Sequence, residues 1–254
     1  MKRSFAKAAI QGILNRLGYQ LVSRQRLDNF MAEIAATTVA STEAIDVLKF
    51  VIQDYITSHP KPFFIQIGAN DGIHCDDFRT YILDHCWEGV LVEPQPGPFA
   101  RLVQNYQGHP GLCFENAAIG RSSGVAPLYG FAGTLGDMQL DVFTSFDYDR
   151  VATVKKYMNI PLEIERFDVP TMTFQTLLSK YRVKKLDILI IDTEGYDFEI
   201  LKMIDFGAVC PAIIQFEHTN LTSADKVACY KMLVEKGYRL GSHHLDIIAY
   251  RTEC

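Results

Sequence analysis

The sequence predicts an α/β domain built on a mostly parallel sheet, with helices on both faces and further helices at the N-terminus. Three observations predict it. Short apolar, β-rich runs recur after Pro62, at 63–67, 89–93, 112–114, 186–191 and 211–216. Helical segments fall between several of them, around 76–86, 96–107, 172–181 and 195–204, and again at 222–236. Short strands separated by helices call for a parallel sheet covered on both sides. The last piece, "YRLGSHHLDIIAYR", reads as two strands around a loop, so the sheet is expected to end in a hairpin.

Taken from the start, Phe5, Ala9, Ile10, Ile13, Leu14, Leu17 and Leu21 recur at helical spacing with basic residues opposite them. Such a basic amphipathic helix suits either a membrane surface or packing on the domain or a partner chain. Packing is favoured, because one short helix binds lipid weakly. A second helical stretch covers about 27–57; Ser41 and Thr42 suit a cap and Glu43 the first turn. His59-Pro60-Lys61-Pro62 then breaks it. We therefore expect an N-terminal helical extension at 1–60 and the principal domain at 61–254. Residues 121–170 show no sustained period and read as a long irregular insertion, the usual form of a functional loop.

Composition narrows the function. With 254 residues, 48% of them hydrophobic, the chain can bury a substantial core. The net charge of -5 is uneven: the first 27 residues carry +6 and the rest -11. An acidic body argues against nucleic acid, which needs a basic face. The six cysteines, at 75, 86, 113, 210, 229 and 254, form no C-x-x-C pair or zinc-ligand spacing and fit thiols in a reducing compartment. No apolar run reaches membrane-spanning length, and Lys7, Gln11, Asn15 and Arg16 interrupt any signal-peptide core. A cytoplasmic location is expected, with the inner membrane face as the place of any lipid contact through residues 1–27.

Polar residues at the strand ends carry the chemistry. "FFIQIGANDG" is a strand running through Gln66 into Gly68, Ala69, Asn70, Asp71 and Gly72. Glycine there permits close backbone approach and positive φ. Glu93 ends the next strand, where a carboxylate can accept both hydroxyl hydrogens of a ribose. Pro94 shapes the exit. Asn116 follows the third strand and either reads an adenine edge or holds the loop. In an open parallel sheet ligands bind outside the carboxyl ends of the strands, so an adenosine-bearing ligand is expected, NAD or S-adenosylmethionine. The middle glycine of G-x-G-x-x-G is missing, and Asp71 would repel a pyrophosphate but not a sulfonium. That favours S-adenosylmethionine.

"IQIGANDG", "VLVEPQPGPFARL", "NAAIG", "LDILIIDTEGYDFEIL" and "IIQFEH" occur in the order and at the spacing of the FkbM methyltransferases, and over about 62–250 the chain resembles that family. The resemblance implies a Rossmann-like class I methyltransferase: a seven-stranded, mostly parallel sheet with an antiparallel last strand. It implies methyl transfer, usually to a hydroxyl oxygen of a sugar, glycan, polyketide or related small molecule. It also places Gly68 to Gly72 around the methionine part of the cofactor, Glu93 at the ribose, Asn116 and Ala117 near the adenine, and Asp192 beside the methionine end or the acceptor. Many members carry Lys two residues before the residue matching Asp192; here it is Ile190.

Transfer to a hydroxyl needs alignment and a base within reach. Asp192, Glu194, Glu217 and His218 stand at the ends of strands four and five, and His218 has the ordinary pKa best suited to a base. Asp192 and Glu194 are alternatively helix caps. Asp192, Glu194 and Glu217 together suit Mg²⁺, but two of them have other roles open, so no metal is assigned. Thr144, Ser145 and Phe146 are expected at the acceptor; His243 and His244 either rim its pocket or form a solvated turn. The competing readings are a NAD-dependent oxidoreductase or epimerase and a non-catalytic scaffold at the membrane.

Overall fold

A computed structural model describes residues 46–251, apart from 75, 136, 137 and 159. Val47–Cys254 forms one compact unit. The amphipathic helix at 5–21, the helix start at Ser41 and Thr42, and Cys75 and Cys254 lie outside the described residues.

The chain enters through helix α1 (Val47–Ser58) and strand β1 (Phe63–Ile67). Then follow α2 (Arg79–Asp84), β2 (Glu88–Val92), α3 (Pro96–Asn105) and β3 (Leu112–Glu115). The segment after β3 holds β4 (Ala118–Ile119), β5 (Gly124–Gly130), β6 (Thr134–Leu135), β7 (Met138–Gln139), α4 (Tyr148–Met158) and β8 (Glu165–Met172). The second half runs α5 (Phe174–Lys180), β9 (Ile188–Ile191), α6 (Asp197–Met203), β10 (Ile213–Glu217) and α7 (Ser223–Glu235). It closes with β11 (Arg239–His243) and β12 (Asp246–Tyr250).

Seven strands form one sheet in the order β11-β12-β10-β9-β1-β2-β3. All pairs are parallel except those of β12, which runs against β10 and β11. This is the expected sheet, with its terminal hairpin and antiparallel last strand. Strand alternation divides the core. Ile65, Ile67, Leu189 and Phe216 point to one face and pack against Leu177, Leu201 and Leu233 of α5, α6 and α7. Phe64, Leu91, Ile188 and Ile213 point to the other, against Ile52, Ile82 and Leu102 of α1, α2 and α3, with the fully buried Trp87. The register also sets Gln66 and Gln215 on either side of Ile190, on that second face.

α1 is tied to the sheet by polar bonds as well. The Tyr55 hydroxyl donates to Asp187 Oδ1 at 2.5 Å, and the Phe63 amide donates to Asp187 Oδ2 at 2.9 Å. Local sequence ends the helices as physics prefers: Pro96 opens α3, and Thr173 and Thr222 accept the amides of Thr176 and Asp225 at the starts of α5 and α7.

The stretch 121–170 is not irregular. β5 and β8 form a long antiparallel pair, with β4 on the far side of β8. Phe131, Leu140, Val151 and Ile160 make a small core of their own beneath α4. Among the described residues Cys86, Cys113, Cys210 and Cys229 form no disulfide, and Cys229 is buried. Among the described residues no helix is long and apolar enough to cross a membrane.

Candidate active site

The strand order reverses between β1 and β9, so their carboxyl ends flank a switch point, where ligands bind in such sheets. A cavity of about 560 Å³ opens there, within the ordinary range for small-molecule sites. Its walls include Gln66, Gly68, Ala69, Asn70, Glu93, Pro94, Ala117, Thr144, Ser145, Phe146, Asp192, Glu194 and Glu217. Asp71, Gly72, Asn116 and His218 are not among them.

At one end the β1 exit builds a cradle. Gly68 and Ala69 donate their amides to Val92 O at 2.9 and 3.0 Å. Asn70, in the left-handed region at φ 45°, donates its amide to Glu93 Oε2 at 2.9 Å. Glu93 Oε1 accepts the Gln95 amide at 2.8 Å. Two amides thus aim a buried carboxylate at the cavity. Burial, chiefly, pushes that carboxyl up to about 7; the amides of Gln95 and Asn70 act against it and Asp141 adds to it.

The residues off the wall have structural work. The Asp71 carboxylate turns inward and accepts the amides of Ile73 and His74, both at 3.0 Å, with His74 Nδ1 at 2.6 Å. Burial raises its pKa, but these bonds outweigh it and hold the carboxyl below the usual range. Its carboxylate is thus engaged by the loop's own amides and is not on the cavity wall, where the expected repulsion of a pyrophosphate would need it. Gly72 is required by packing: a Cβ there would lie 2.5 Å from the Tyr106 ring. Asn116 donates Nδ2 to Glu93 O at 2.8 Å and to Pro94 O at 3.1 Å, which holds the loop. His218 Nδ1 is bonded to the Tyr230 hydroxyl, and burial lowers its pKa, with Lys226 second.

The other end is acidic. Asp192, Glu194 and Glu217 each bring one carboxylate oxygen within 4.8 Å of the others. Asp192 is open to the cavity yet enclosed by protein. That enclosure, then the charges of Glu194, Asp197, Glu217 and Asp246, push its carboxyl well above the usual range. Burial and Glu217 push Glu194 up to about 7 against the pull of Arg150. The neighbours of Asp192 are anchored: Arg150 and Asn220 donate to Glu194, and Thr219 and Asn220 to Glu217. No described residue donates to the Asp192 carboxylate. Neither Asp192 nor Glu194 caps α6, whose N-cap is Tyr196.

Sequence reasoning missed several contributors. Asp197, wholly buried, ties the β9 exit to β10 by accepting from the Thr193 hydroxyl at 2.9 Å and the Glu217 amide at 3.2 Å. Asp76, Asp77, Gln95, Asp141, Tyr196, Gln215 and Asp246 also line the cavity. The motif's own acid at 197, and alternation carrying Gln215 to the face of Glu217, were the available signals. The predicted acceptor segment is at the wall: Ser145 Oγ donates to Glu194 O at 3.1 Å, and Phe146 lies 4.9 Å from the Tyr196 ring. The β11–β12 turn stays exposed at His244 and Leu245, yet His244 borders the cavity and His243 Nε2 lies 3.3 Å from Asp77 Oδ2.

A scan of protein families matches the methyltransferase FkbM domain over residues 66–252. No curated protein sequence matches significantly. Among solved structures, an FkbM methyltransferase from Methylobacillus flagellatus KT aligns at a TM-score of 0.48 and 9% identity, over 76% of this chain and 44% of that one. This chain thus corresponds to less than half of that protein's length. An O-methyltransferase from Bacillus cereus in complex with SAH aligns at 0.39 and 9% identity, over 96% and 97% of the two chains. At those scores neither likeness carries an argument about chemistry.

Proposed function

The chain belongs to the FkbM methyltransferase family, and from that premise we propose that it is an S-adenosylmethionine-dependent methyltransferase acting on a hydroxyl of a sugar, glycan or related small-molecule acceptor. The residues present suit the cofactor. Gly68, where a side chain has no room, leaves bare backbone along the cavity, and Glu93 offers a buried, amide-aimed carboxylate beside it. In this reading Glu93 holds the ribose hydroxyls, Gly68 to Asn70 border the methionyl part, and Pro94 and Ala117 flank the adenine. Asn116 and Asp71 position that loop without touching ligand. When bound, S-adenosylmethionine supplies an electrophilic methyl on a sulfonium.

The acceptor belongs at the acidic end. A ring of carboxylates disfavours phosphate- or carboxylate-bearing acceptors and suits a neutral, hydroxyl-rich one. Asp192 would take the hydroxyl proton as the acceptor oxygen bonds to the methyl carbon and the carbon–sulfur bond breaks, with S-adenosylhomocysteine as the leaving group. Glu194 and Glu217, held by Arg150, Thr219 and Asn220, hydrogen-bond neighbouring hydroxyls and fix the angle of approach. Thr144, Ser145 and Phe146 form the wall behind. The observation that carries this reading is the Asp192 carboxylate itself, cavity-facing and free of protein donors beside anchored neighbours. Incubation with methyl-labelled S-adenosylmethionine and fractionated neutral glycans tests it: label is expected on oxygen, and label on nitrogen, or on none of the fractions, contradicts it. We further propose residues 61–254 as the part that carries the reaction.

A further inference from the structure

We propose that the acidic end of the cavity binds a hard divalent cation through Asp192, Glu194, Glu217 and Gln215. Each of the three carboxylates offers one oxygen, and the three oxygens lie within 4.8 Å of one another. Oxygens on one Ca²⁺ at 2.3–2.6 Å stand at most about 5 Å apart, and on one Mg²⁺ about 4 Å. The spacing therefore accepts a cation the size of Ca²⁺ as it stands, and Mn²⁺ or Mg²⁺ after a contraction of under about 1 Å.

A separate observation points to the same ligand. Gln215 is 7% exposed, and its Oε1 is buried with no hydrogen-bond partner. Its Nε2 donates to Asp246 Oδ2 at 2.6 Å, which fixes which amide atom is left over. An orphaned buried acceptor is costly. This one lies two residues before Glu217 on the same face of β10, in register with Ile190, two residues before Asp192. It lines the same cavity. Four acceptor oxygens from adjacent strand ends, one of them without a donor, form an all-oxygen ligand set for a hard cation. No lysine or arginine lines the cavity among the described residues. Arg150 and Asn220 reach Glu194, and Thr219 and Asn220 reach Glu217, so these carboxylates are held in place. On the proposed reaction, on which this role alone rests, the cation polarises the acceptor oxygen while the second oxygen of Asp192 stays toward its proton.

The test is calorimetric titration of the metal-stripped full chain with MnCl₂, MgCl₂ or CaCl₂, with Mn²⁺ followed also by electron paramagnetic resonance. One saturable equivalent is expected, weakened about tenfold or more in Glu217→Gln and in Gln215→Met, with melting temperatures near that of the parent. Asp192→Asn replaces either variant that fails to fold. No saturable binding up to about 10 mM, beyond the weak end of protein calcium sites, overturns the proposal. So does one equivalent that all the variants retain. Binding of S-adenosylhomocysteine by the metal-stripped parent is measured alongside; its absence counts against the methyltransferase reading of the cavity and leaves the metal result standing.

Discussion

Gly68 lies against the backbone of Asp192 so closely that a Cβ on the glycine would be 1.7 Å from the Asp192 carbonyl oxygen. The contact joins the exits of β1 and β9, the two strands at which the sheet order reverses. It fixes the distance between the cofactor cradle and the acidic end of the cavity. Gly68 is also at φ +84°, a conformation that penalises any other residue. Gly68→Ala is therefore expected to cost about 2 kcal/mol or more in stability and to weaken S-adenosylhomocysteine binding about tenfold or more. Chemical denaturation and calorimetry read the two effects separately.

Binding of the cofactor should depend on pH through Glu93. Its carboxyl is raised to about 7, mainly by burial, with Asp141 adding and the amides of Asn70 and Gln95 opposing. Asp141 is itself paired with Arg101 at 2.5 Å. Below that pKa one oxygen carries a proton and can no longer accept from a hydroxyl. Affinity for S-adenosylhomocysteine should rise between about pH 6 and pH 8 and level off above. Glu93→Gln should bind more weakly and show no such rise. For the free protein the sign is opposite: a raised carboxyl stabilises the fold below its unfolded value and loses that contribution as pH climbs through 7.

Asn116→Ala should weaken the cofactor and spare the fold. Its amide bonds only the carbonyls of Glu93 and Pro94, so its loss slackens the loop that aims the Glu93 carboxylate. An increase of about fivefold to tenfold in the KM for S-adenosylmethionine is expected, with kcat nearly unchanged. A fall in kcat without a change in KM would place Asn116 at the reaction instead.

His218 should be dispensable for chemistry. It is off the cavity wall and engaged with Tyr230. His218→Ala is expected to keep turnover within about threefold, whereas loss of a general base costs about 10²–10⁴. A pH–rate profile of the variant that retains the parent's limbs would confirm that the titrating groups lie elsewhere.

Much of the fold was legible because strands and helices here carry unmixed signals. β9 is four consecutive apolar residues, Ile188 to Ile191, as a strand buried on both faces must be. The inserted sheet was not legible, for the opposite reason. β5 contains Pro127 between two terminal glycines, and β8 contains Pro170 and the exposed, charged Glu165, Arg166 and Asp168, so neither resembles a buried strand. Their partner is each other, through a pairing spanning 124–130 and 165–171 that no local pattern announces.

At the site, residue type predicted location better than role. Glu93 and Asp192 reach the cavity because strand alternation sends them there. Asp71 and Gly72, one and two residues further into the loop than Asn70, serve the loop's own amides and the Tyr106 ring. A turn needs internal acceptors and space as much as a ligand does, and the sequence of the turn does not separate the two needs. His218 attracted attention for its ordinary pKa, yet the next strand positions send alternate side chains away from the cavity: Glu217 faces it and His218 does not.

The central claim is that one cavity holds the cofactor through Glu93 and passes the acceptor proton to Asp192. Parallel assays of Glu93→Ala and Asp192→Asn test it most directly: calorimetry with S-adenosylhomocysteine beside methyl transfer from labelled S-adenosylmethionine to an accepted glycan. Glu93→Ala should lose both. Asp192→Asn should keep binding within about threefold and lose transfer by about 10²-fold or more. Unchanged binding in Glu93→Ala, or transfer at the parent rate in Asp192→Asn, would contradict the account.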